Sequence, residues 1–205
     1  MAKQYRGCSH LVYALVTETE EATTYGTPKV LAPVKSVSRD IDASHENVWA
    51  DNAIQETHFS GTKVTRSFDC TRLDPEVEAE ILGLTVVTVG QKKAYATDPD
   101  GSRRPYIAVG YALHDGDAEN PCEVVWAYHG KVLSVSKASN TIDDGTGSEG
   151  QTVEIEFSAP VRPFTGTGKR NLDIAMDVDS VADVTKWFAQ VVTPDNASTI
   201  FTTTP

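Results

Sequence analysis

The sequence predicts a mainly β fold with one or two packed helices, and three observations support this. Apolar and polar residues alternate with period two in several stretches, short runs that are apolar on both faces lie between turn residues, and two stripes with helical spacing follow capping residues. The 205 residues, 40% of them hydrophobic and 23% charged, are enough to build a core without disulfides or metals. We therefore expect residues 1–205 to form a single domain.

The alternating stretches predict strands that bury one face. Residues 151–159 and 172–178 have apolar side chains at every second position, and in the second of these stretches Asp173 and Asp177 are expected on the opposite face. Residues 63–71 alternate too and place Val64, Phe68 and Cys70 on one face. Such one-sided strands are typical of antiparallel sheets packed on a core. The expected core positions are Val64, Phe68 and Cys70, then Val153, Ile155, Phe157 and Ala159, and finally Leu172, Ile174, Met176 and Val178.

Other runs are apolar on both faces, namely 11–16, 84–89, 106–113 and 124–128. Such strands either lie centrally in a sheet or present a face that a neighbouring subunit covers, and we favour the first interpretation. Turn residues at 98–101 and 115–116 separate the runs. The Gly- and Asp-rich residues 140–150 are expected to form a loop, and the Thr-rich residues 202–205 a flexible tail.

Two helices are expected from their capping residues. Asp74 precedes Pro75, and Gly83 stands where this helix would end. Ser180 and Asp183 form a capping-box-like pair at the start of the second helix. The stripes that would pack on the sheet are Val77, Ile81 and Leu84 in the first helix and Val181, Val184, Phe188 and Val191, with Trp187 beside them, in the second.

Composition limits the function. With 29 acidic and 18 basic residues, the chain has a net charge of −11, which argues against a tight grip on nucleic acid because such binding needs Lys and Arg on the phosphates. Negative charge promotes solubility, and it would also suit a conduit through which DNA slides. Three separated cysteines without a CxxC pair indicate reduced thiols in a protein made in the cytoplasm. We see no signal peptide and no apolar run long enough to span a membrane.

No catalytic constellation is evident in the sequence. The five histidines lack metal-ligating spacing, and no nucleophile elbow or Gly-rich phosphate loop is present. The acidic turns at Asp98 and Asp100 and at Asp143 and Asp144 do not match a calcium-binding loop. We therefore nominate no catalytic, cofactor-binding or metal-binding residue and expect that the protein is not an enzyme.

Residues 39–61 form a segment with few aliphatic residues and no clear periodicity, which contains Trp49 and His58. Such long connections are either functional or disordered. Because a large aromatic side chain normally seeks burial, Trp49 makes an interface role an open alternative to disorder.

Several stretches of the chain together form a pattern that covers most of its length. The most specific of them is Thr24-Tyr-Gly-Thr-Pro within residues 24–30. The others are residues 11–16, 34–39, 47–52 (Asn-Val-Trp-Ala-Asp-Asn), 61–69 with the following Ile81-Leu-Gly83, 105–113, and 186–191 with the following Pro194. In their order and spacing, these stretches resemble the major tail protein family of siphophages of Gram-positive bacteria and related prophages.

The resemblance implies a tail-tube-type β-sandwich or barrel with a long hairpin at 39–61 that reaches toward an adjacent ring. Similar proteins form hexameric rings that stack into the tube of a long, non-contractile tail and conduct DNA. By this resemblance, Trp49, Asp51, Asn52 and His58 are the candidate inter-ring contact. The implied partners are further copies of the chain, other tail proteins at the tube ends, the tape measure protein and passing DNA. No cofactor, membrane or sequence-specific nucleic acid is implied, and the protein would be located in the virion.

Two alternatives remain open from the sequence. The first is another tube or terminator component of a phage tail or secretion machine. The second is a β-sandwich module that binds a ligand such as carbohydrate, with Trp126 or Tyr128 as a stacking platform, although the alternation around these residues favours a core position.

Overall fold

The computed structural model describes residues 5–50, 53–115, 121–137 and 150–201, and for residues 43–50 and 53–61 it describes the main chain alone. The described residues form eleven strands, three α-helices and one 3-10 turn. The strands are β1 (Tyr5–Glu18), β2 (Thr23–Tyr25), β3 (Lys29–Val30), β4 (Val34–Ala50), β5 (Ala53–Cys70), β6 (Thr85–Val89), β7 (Lys92–Ala96), β8 (Tyr106–Asp115), β9 (Glu123–Lys137), β10 (Gln151–Phe157) and β11 (Asp173–Asp177). The helices are α1 (Pro75–Leu82), α2 (Val181–Ala189) and α3 (Ala197–Ile200), and the 3-10 turn is Gly101–Arg103. The mainly β fold expected from the sequence is confirmed.

Nine strands form one antiparallel sheet in the order β2-β1-β8-β9-β10-β5-β4, with β3 paired to β1 and β11 paired to β9. Strand β9 is long enough to belong to two halves of this sheet, one formed with β1, β2, β3, β8 and β11 and the other with β10, β5 and β4. Its first part pairs with β11 and its second part with β10 on the same edge, while β8 runs along the other edge. A separate two-stranded sheet contains β6 and β7.

The first hydrophobic core lies between the two halves of the sheet. Period-two alternation turns one side chain of every pair in β5 and β10 inward, so Val64, Phe68, Val153 and Phe157 are almost completely buried. They meet side chains from β1, β8, β9 and α1, including Ile81. The core positions expected in 63–71 are confirmed, whereas Ala159 is exposed because β10 ends at Phe157.

The second core lies on the outer side of β1, β8 and β9, where α2 covers the sheet. Val12, Ala14 and Trp126 point to this side and pack with Val184 and Trp187 of α2. Because these three strands are covered on both faces, their sequences are apolar on both faces. The central positions expected for 11–16, 106–113 and 124–128 are thus confirmed.

Both expected helices begin at the expected caps. The Asp74 carboxylate accepts a hydrogen bond of 2.8 Å from the Glu76 N–H, and the Ser180 hydroxyl accepts one of 3.2 Å from the Asp183 N–H. Helix α1 ends at Gly83, whose left-handed φ of 65° suits glycine. The short α3 has no side-chain cap, and the sequence signals for it are correspondingly weak.

Two expectations about strands were wrong. Residues 84–89 are not a central strand, because every residue of β6 is exposed. Residues 39–61 are not an irregular connection, since the part of this segment that the structure describes belongs to the paired strands β4 and β5. This agrees with the long hairpin implied by the family resemblance.

Candidate assembly surfaces

The hairpin of β4 and β5 extends well beyond the sheet. Strand β10 pairs with β5 only from Val64 to Cys70, whereas β4 and β5 stay paired as far as Ala50 and Ala53. We call residues 42–50 and 53–63, which lie beyond the edge of β10, the ribbon. At about 3.3 Å per residue, the ribbon reaches about 30 Å past the sheet. A projection of this length offers main-chain groups to another molecule.

Two of the four candidate contact residues lie in the ribbon. Trp49 pairs with Ile54 close to the end of the described strands, and His58 pairs with Glu46 further down. Asp51 and Asn52 lie outside the described residues. The structure therefore brings Trp49 and His58 onto one projecting element, separated along it by several residue pairs.

The outer edge of β4 is the longest free strand edge among the described residues. This strand has 17 residues, and β5 is its one strand partner in the part of the chain that the structure describes. Its residues 38–42 are exposed and carry charges of both signs, at Arg39, Asp40 and Asp42. An open edge presents unpaired N–H and C=O groups, so it is a place for another strand to add.

A buried arginine lies close to the point where the ribbon leaves the sheet, which we call the root of the ribbon. The Arg66 side chain, on β5, is 0% exposed and donates from Nη2 to the Asp173 carboxylate on β11. The guanidinium carbon lies 5.1 Å from the centre of the Phe157 ring and 5.8 Å from that of Tyr111. Arg39 of β4 lies 3.3 Å from the same carboxylate. Asp173 lies on the face opposite Ile174 and Met176, as expected, and on that face its carboxylate is the counter-ion of this arginine.

The guanidinium is only partly satisfied, since its Nε and Nη1 atoms have no hydrogen-bond partner among the described residues. Desolvating a charge is expensive, and one carboxylate with two aromatic faces offsets part of that cost. Sequence reasoning missed Arg66, although it lies at the position between Val64 and Phe68 where the period of two places a core residue.

A second polar link joins three strands at the end of the β5–β10 pairing that lies away from the ribbon. Asp69 accepts hydrogen bonds from the Thr152 hydroxyl of β10 at 2.6 Å and from the Ser36 hydroxyl of β4 at 2.7 Å. These bonds favour the ionised form and hold the pKa of Asp69 below its usual range. This link therefore ties β4 and β5 to β10 at the end of the sheet away from the ribbon.

Helix α1 is tied to the other edge of the sheet through Glu80. Lys29 of β3 donates to its carboxylate at 2.6 Å, and the Tyr13 hydroxyl donates to the other oxygen. Burial pushes the pKa of Glu80 upward, but the bonds from Lys29 and Tyr13 outweigh it, so the pKa lies below its usual value.

One cluster has the residue types of a hydrolytic triad. The His129 ring contacts the Ser158 hydroxyl through Nδ1 and the Glu18 carboxylate through Nε2, both at 2.9 Å. In serine hydrolases the two ring nitrogens have the opposite assignment. The other oxygen of Glu18 accepts from the Val161 N–H at 3.3 Å, so this cluster joins the ends of β1 and β10 to the middle of β9.

The described residues contain neither a metal-binding cluster nor a membrane-spanning helix. No group of three or more His, Cys, Asp or Glu side chains there could hold a metal ion. No helix in those parts of the chain is long and apolar enough to cross a membrane.

No family model matches the chain, and no curated protein does. Among solved structures, it is weakly similar to the tube-terminating cap of the anti-feeding prophage, with 10% identity over 87% of this chain and 95% of the other and a TM-score of 0.43. The sheath–tube complex of an extracellular contractile injection system matches with 11% identity over 83% and 90% and a TM-score of 0.40. The anti-feeding prophage baseplate matches with 10% identity over 88% and 100% and a TM-score of 0.37. These values are too low to assign the chain to a family.

Proposed function

We propose that the protein is a structural subunit that assembles with further copies of itself into a phage tail or a related tube. The observation that carries this proposal is the ribbon, which extends about 30 Å beyond the sheet and whose root is anchored by Arg66. An isolated two-stranded ribbon is at best marginally stable in water. A long ribbon on a rigid root is therefore best explained by a second molecule that packs on it.

Within this class, the protein is the major tail protein of a long, non-contractile tail. Support comes from the sequence blocks shared with that family, including Thr24-Tyr-Gly-Thr-Pro. In this role, six copies close into a ring, rings stack into a tube, and the ribbon with Trp49, Asp51, Asn52 and His58 contacts the adjacent ring. A ring also pairs the free edge of β4 with a neighbour, which removes an aggregation-prone edge.

The remaining parts of the proposal follow from the same role. The partners are other tail proteins at the tube ends, with the tape measure protein and then DNA inside the tube. The net charge of −11 keeps DNA from adhering to the wall. The protein catalyses no reaction, uses no cofactor, and is located in the virion after synthesis in the host cytoplasm.

The carbohydrate-binding alternative loses its binding surface in the structure. Trp126 and Tyr128 are both 0% exposed, and each donates a hydrogen bond to a main-chain carbonyl, of Trp187 and Val192 respectively. These aromatic residues are core residues and cannot stack on a soluble sugar.

Deleting residues 44–57 tests the role of the ribbon. The pair Ala43 and Thr62 then closes a short hairpin over residues 58–61, and the sheet below it is unchanged. We expect a folded subunit, with far-ultraviolet circular dichroism and thermal unfolding close to those of the full chain, that forms no stacked rings by electron microscopy. Normal tube growth by this variant would contradict the proposed role of the ribbon.

A further inference from the structure

The small β6–β7 hairpin has one face against α1 and one face open. Val86 pairs with Tyr95 and Thr88 with Lys93, and three of these residues line a groove that the hairpin shares with α1. Because opposite residues of an antiparallel pair share a face, the alternate residues point away from α1. This outer face contains Thr85, Val87, Val89, Lys92, Ala94 and Ala96.

The outer face is apolar apart from Thr85 and Lys92 and is open to solvent. Val87 is 46% exposed and Val89 62% exposed, and Ala94 and Ala96 beside them are also exposed. Hairpins of two strands need packing to be stable, and apolar residues clustered on a projecting element indicate an interaction surface.

A groove of about 470 Å³ lies at α2. Val181, Phe188 and Ala189 of the helix line it together with Pro121 and His10. The His10 ring stacks on Phe188 with the ring centres 5.2 Å apart, and Val181 at its rim is 59% exposed. The groove is therefore shaped mainly by apolar and aromatic groups and has room for small aliphatic side chains.

The hairpin and the groove lie on opposite sides of the layer formed by β1, β8 and β9. Tyr13 points to the side of α1, where it lines the groove shared with the β6–β7 hairpin. Val12 and Ala14 point to the other side, where α2 packs. The outer face of one chain is thus placed to meet the groove of a second copy and not its own.

Charge is complementary across such a contact. Residues 85–96 contain two lysines and no acidic residue, in a chain whose net charge is −11. The residues around the start of α2 include Asp177, Asp179 and Asp183, and Asp177 and Asp179 are exposed. Lys93 is already paired with Glu76 at 2.5 Å, so Lys92 is the lysine that the outer face offers to the acidic end of the groove.

We infer that the outer face of the β6–β7 hairpin docks into the α2 groove of a second copy of the chain, with Lys92 beside Asp179. The inference deepens the proposed function, on which it rests for the existence of an assembly. The contact is heterologous, because different surfaces meet, and its repetition closes a ring or continues a filament. Stable interfaces bury roughly 800 Å² per partner, so this small contact holds the assembly together only along with the larger strand and ribbon contacts.

Thiol cross-linking tests the contact in the full-length chain. Protein with Val87→Cys is mixed with protein with Val181→Cys under assembly conditions and treated with a short bismaleimide. The matched control replaces Val181→Cys by Val161→Cys, since Val161 is 66% exposed but lies outside the groove. The unmodified chain reports any background from Cys8, Cys70 and Cys122. We expect a cross-linked dimer from the first pair and only background from the control pair.

Charge reversal provides a second measurement on surface residues. Lys92→Glu should weaken the association between two copies of the chain by about fivefold, as expected for one exposed charge pair that becomes repulsive. Asp179→Lys in the partner should restore the association. An unchanged association in Lys92→Glu, or no rescue by Asp179→Lys, would overturn the charge pairing that defines the contact.

Electron microscopy of the same samples separates the inference from the proposed function. Rings or tubes in which the Val87–Val181 pair cross-links no better than the control would overturn the inference and leave the proposed function standing. A chain that remains monomeric and gives no cross-link would contradict both.

Discussion

Removing the carboxylate of Asp173 should destabilise the protein more than removing the guanidinium of Arg66. Asp173→Ala leaves a fully buried positive charge with Nε and Nη1 already unpartnered among the described residues. Loss of one partner from a buried ion pair costs about 3–5 kcal/mol. The Asp173 side chain is 25% exposed, so water relaxes the site in part and we expect about 3 kcal/mol.

Arg66→Met should cost much less, although it removes the larger side chain. It replaces the charge with an apolar chain of similar length between Phe157 and Tyr111, and Asp173 keeps Arg39 as a partner. Exchange of a buried ion pair for apolar packing is often close to neutral, so we expect a loss within about 1 kcal/mol. For the same reason, the double variant Arg66→Met with Asp173→Ala should be more stable than Asp173→Ala alone.

The free energies of unfolding are measured by urea denaturation and thermal melting, followed by circular dichroism. For a domain of this size, 3 kcal/mol corresponds to a decrease in Tm of about 6–12 °C. Arg39→Met is the matched control, because its side chain is 45% exposed and exposed pairs contribute about 1 kcal/mol or less. If Arg66→Met destabilises as much as Asp173→Ala, the reasoning from an uncompensated buried charge is refuted.

Three further outcomes are expected. A Cβ at Gly130 would lie 2.5 Å from the Phe157 ring, so Gly130→Ala should lower the free energy of unfolding by about 1–3 kcal/mol in urea denaturation. The control Gly101→Ala should be near neutral, because the nearest atom to its Cβ would lie at 3.9 Å. Equal losses in the two variants would contradict this reasoning. The folded-state pKa values of Asp69 and Glu80 lie below their usual values, so their stabilising contribution is present above about pH 4 and decreases as the pH falls below it. Glu80→Gln should therefore flatten the decrease of Tm between about pH 5 and pH 3, and an unchanged slope would show that Glu80 does not contribute. Finally, residues mapped to the lumen of an assembled tube by cryo-electron microscopy should be mainly acidic or neutral, and a lumen lined with Lys and Arg would disprove the proposed role of the negative charge.

Much of the fold could be predicted because the signals are local. Asp74 and Ser180 cap their helices as expected, since a capping residue acts on N–H groups within three positions of itself. The alternation in 151–157 indicates one buried face, and Val153, Ile155 and Phe157 occupy it. These predictions required no knowledge of distant contacts.

The errors arose where distant parts of the chain decide the environment. The run 84–89 has the composition of a buried strand, but nothing local shows that β6 lies outside the large sheet and pairs, among the described strands, with β7 alone. Arg66 occupies a core position in the period of two, but arginine is normally a surface residue. Its burial could not be predicted, because its counter-ion Asp173 lies more than 100 residues away in the sequence.

The candidate site could be predicted in position but not in detail. The absence of periodicity at 39–61 obscured a hairpin that the family resemblance implied, since long paired strands away from the core need no apolar alternation. Trp49 and His58 lie on the ribbon as described strand residues, and their role in contact between rings stays a prediction.

Electron microscopy of the purified, concentrated protein tests the central claim most directly. We expect hollow tubes or stacked rings with six-fold symmetry, because the ribbon and the free edge of β4 each need a neighbouring copy. Single rings that never stack would favour a terminator over a tube-forming subunit. A uniform monomer at every concentration would contradict the claim that this chain assembles with itself.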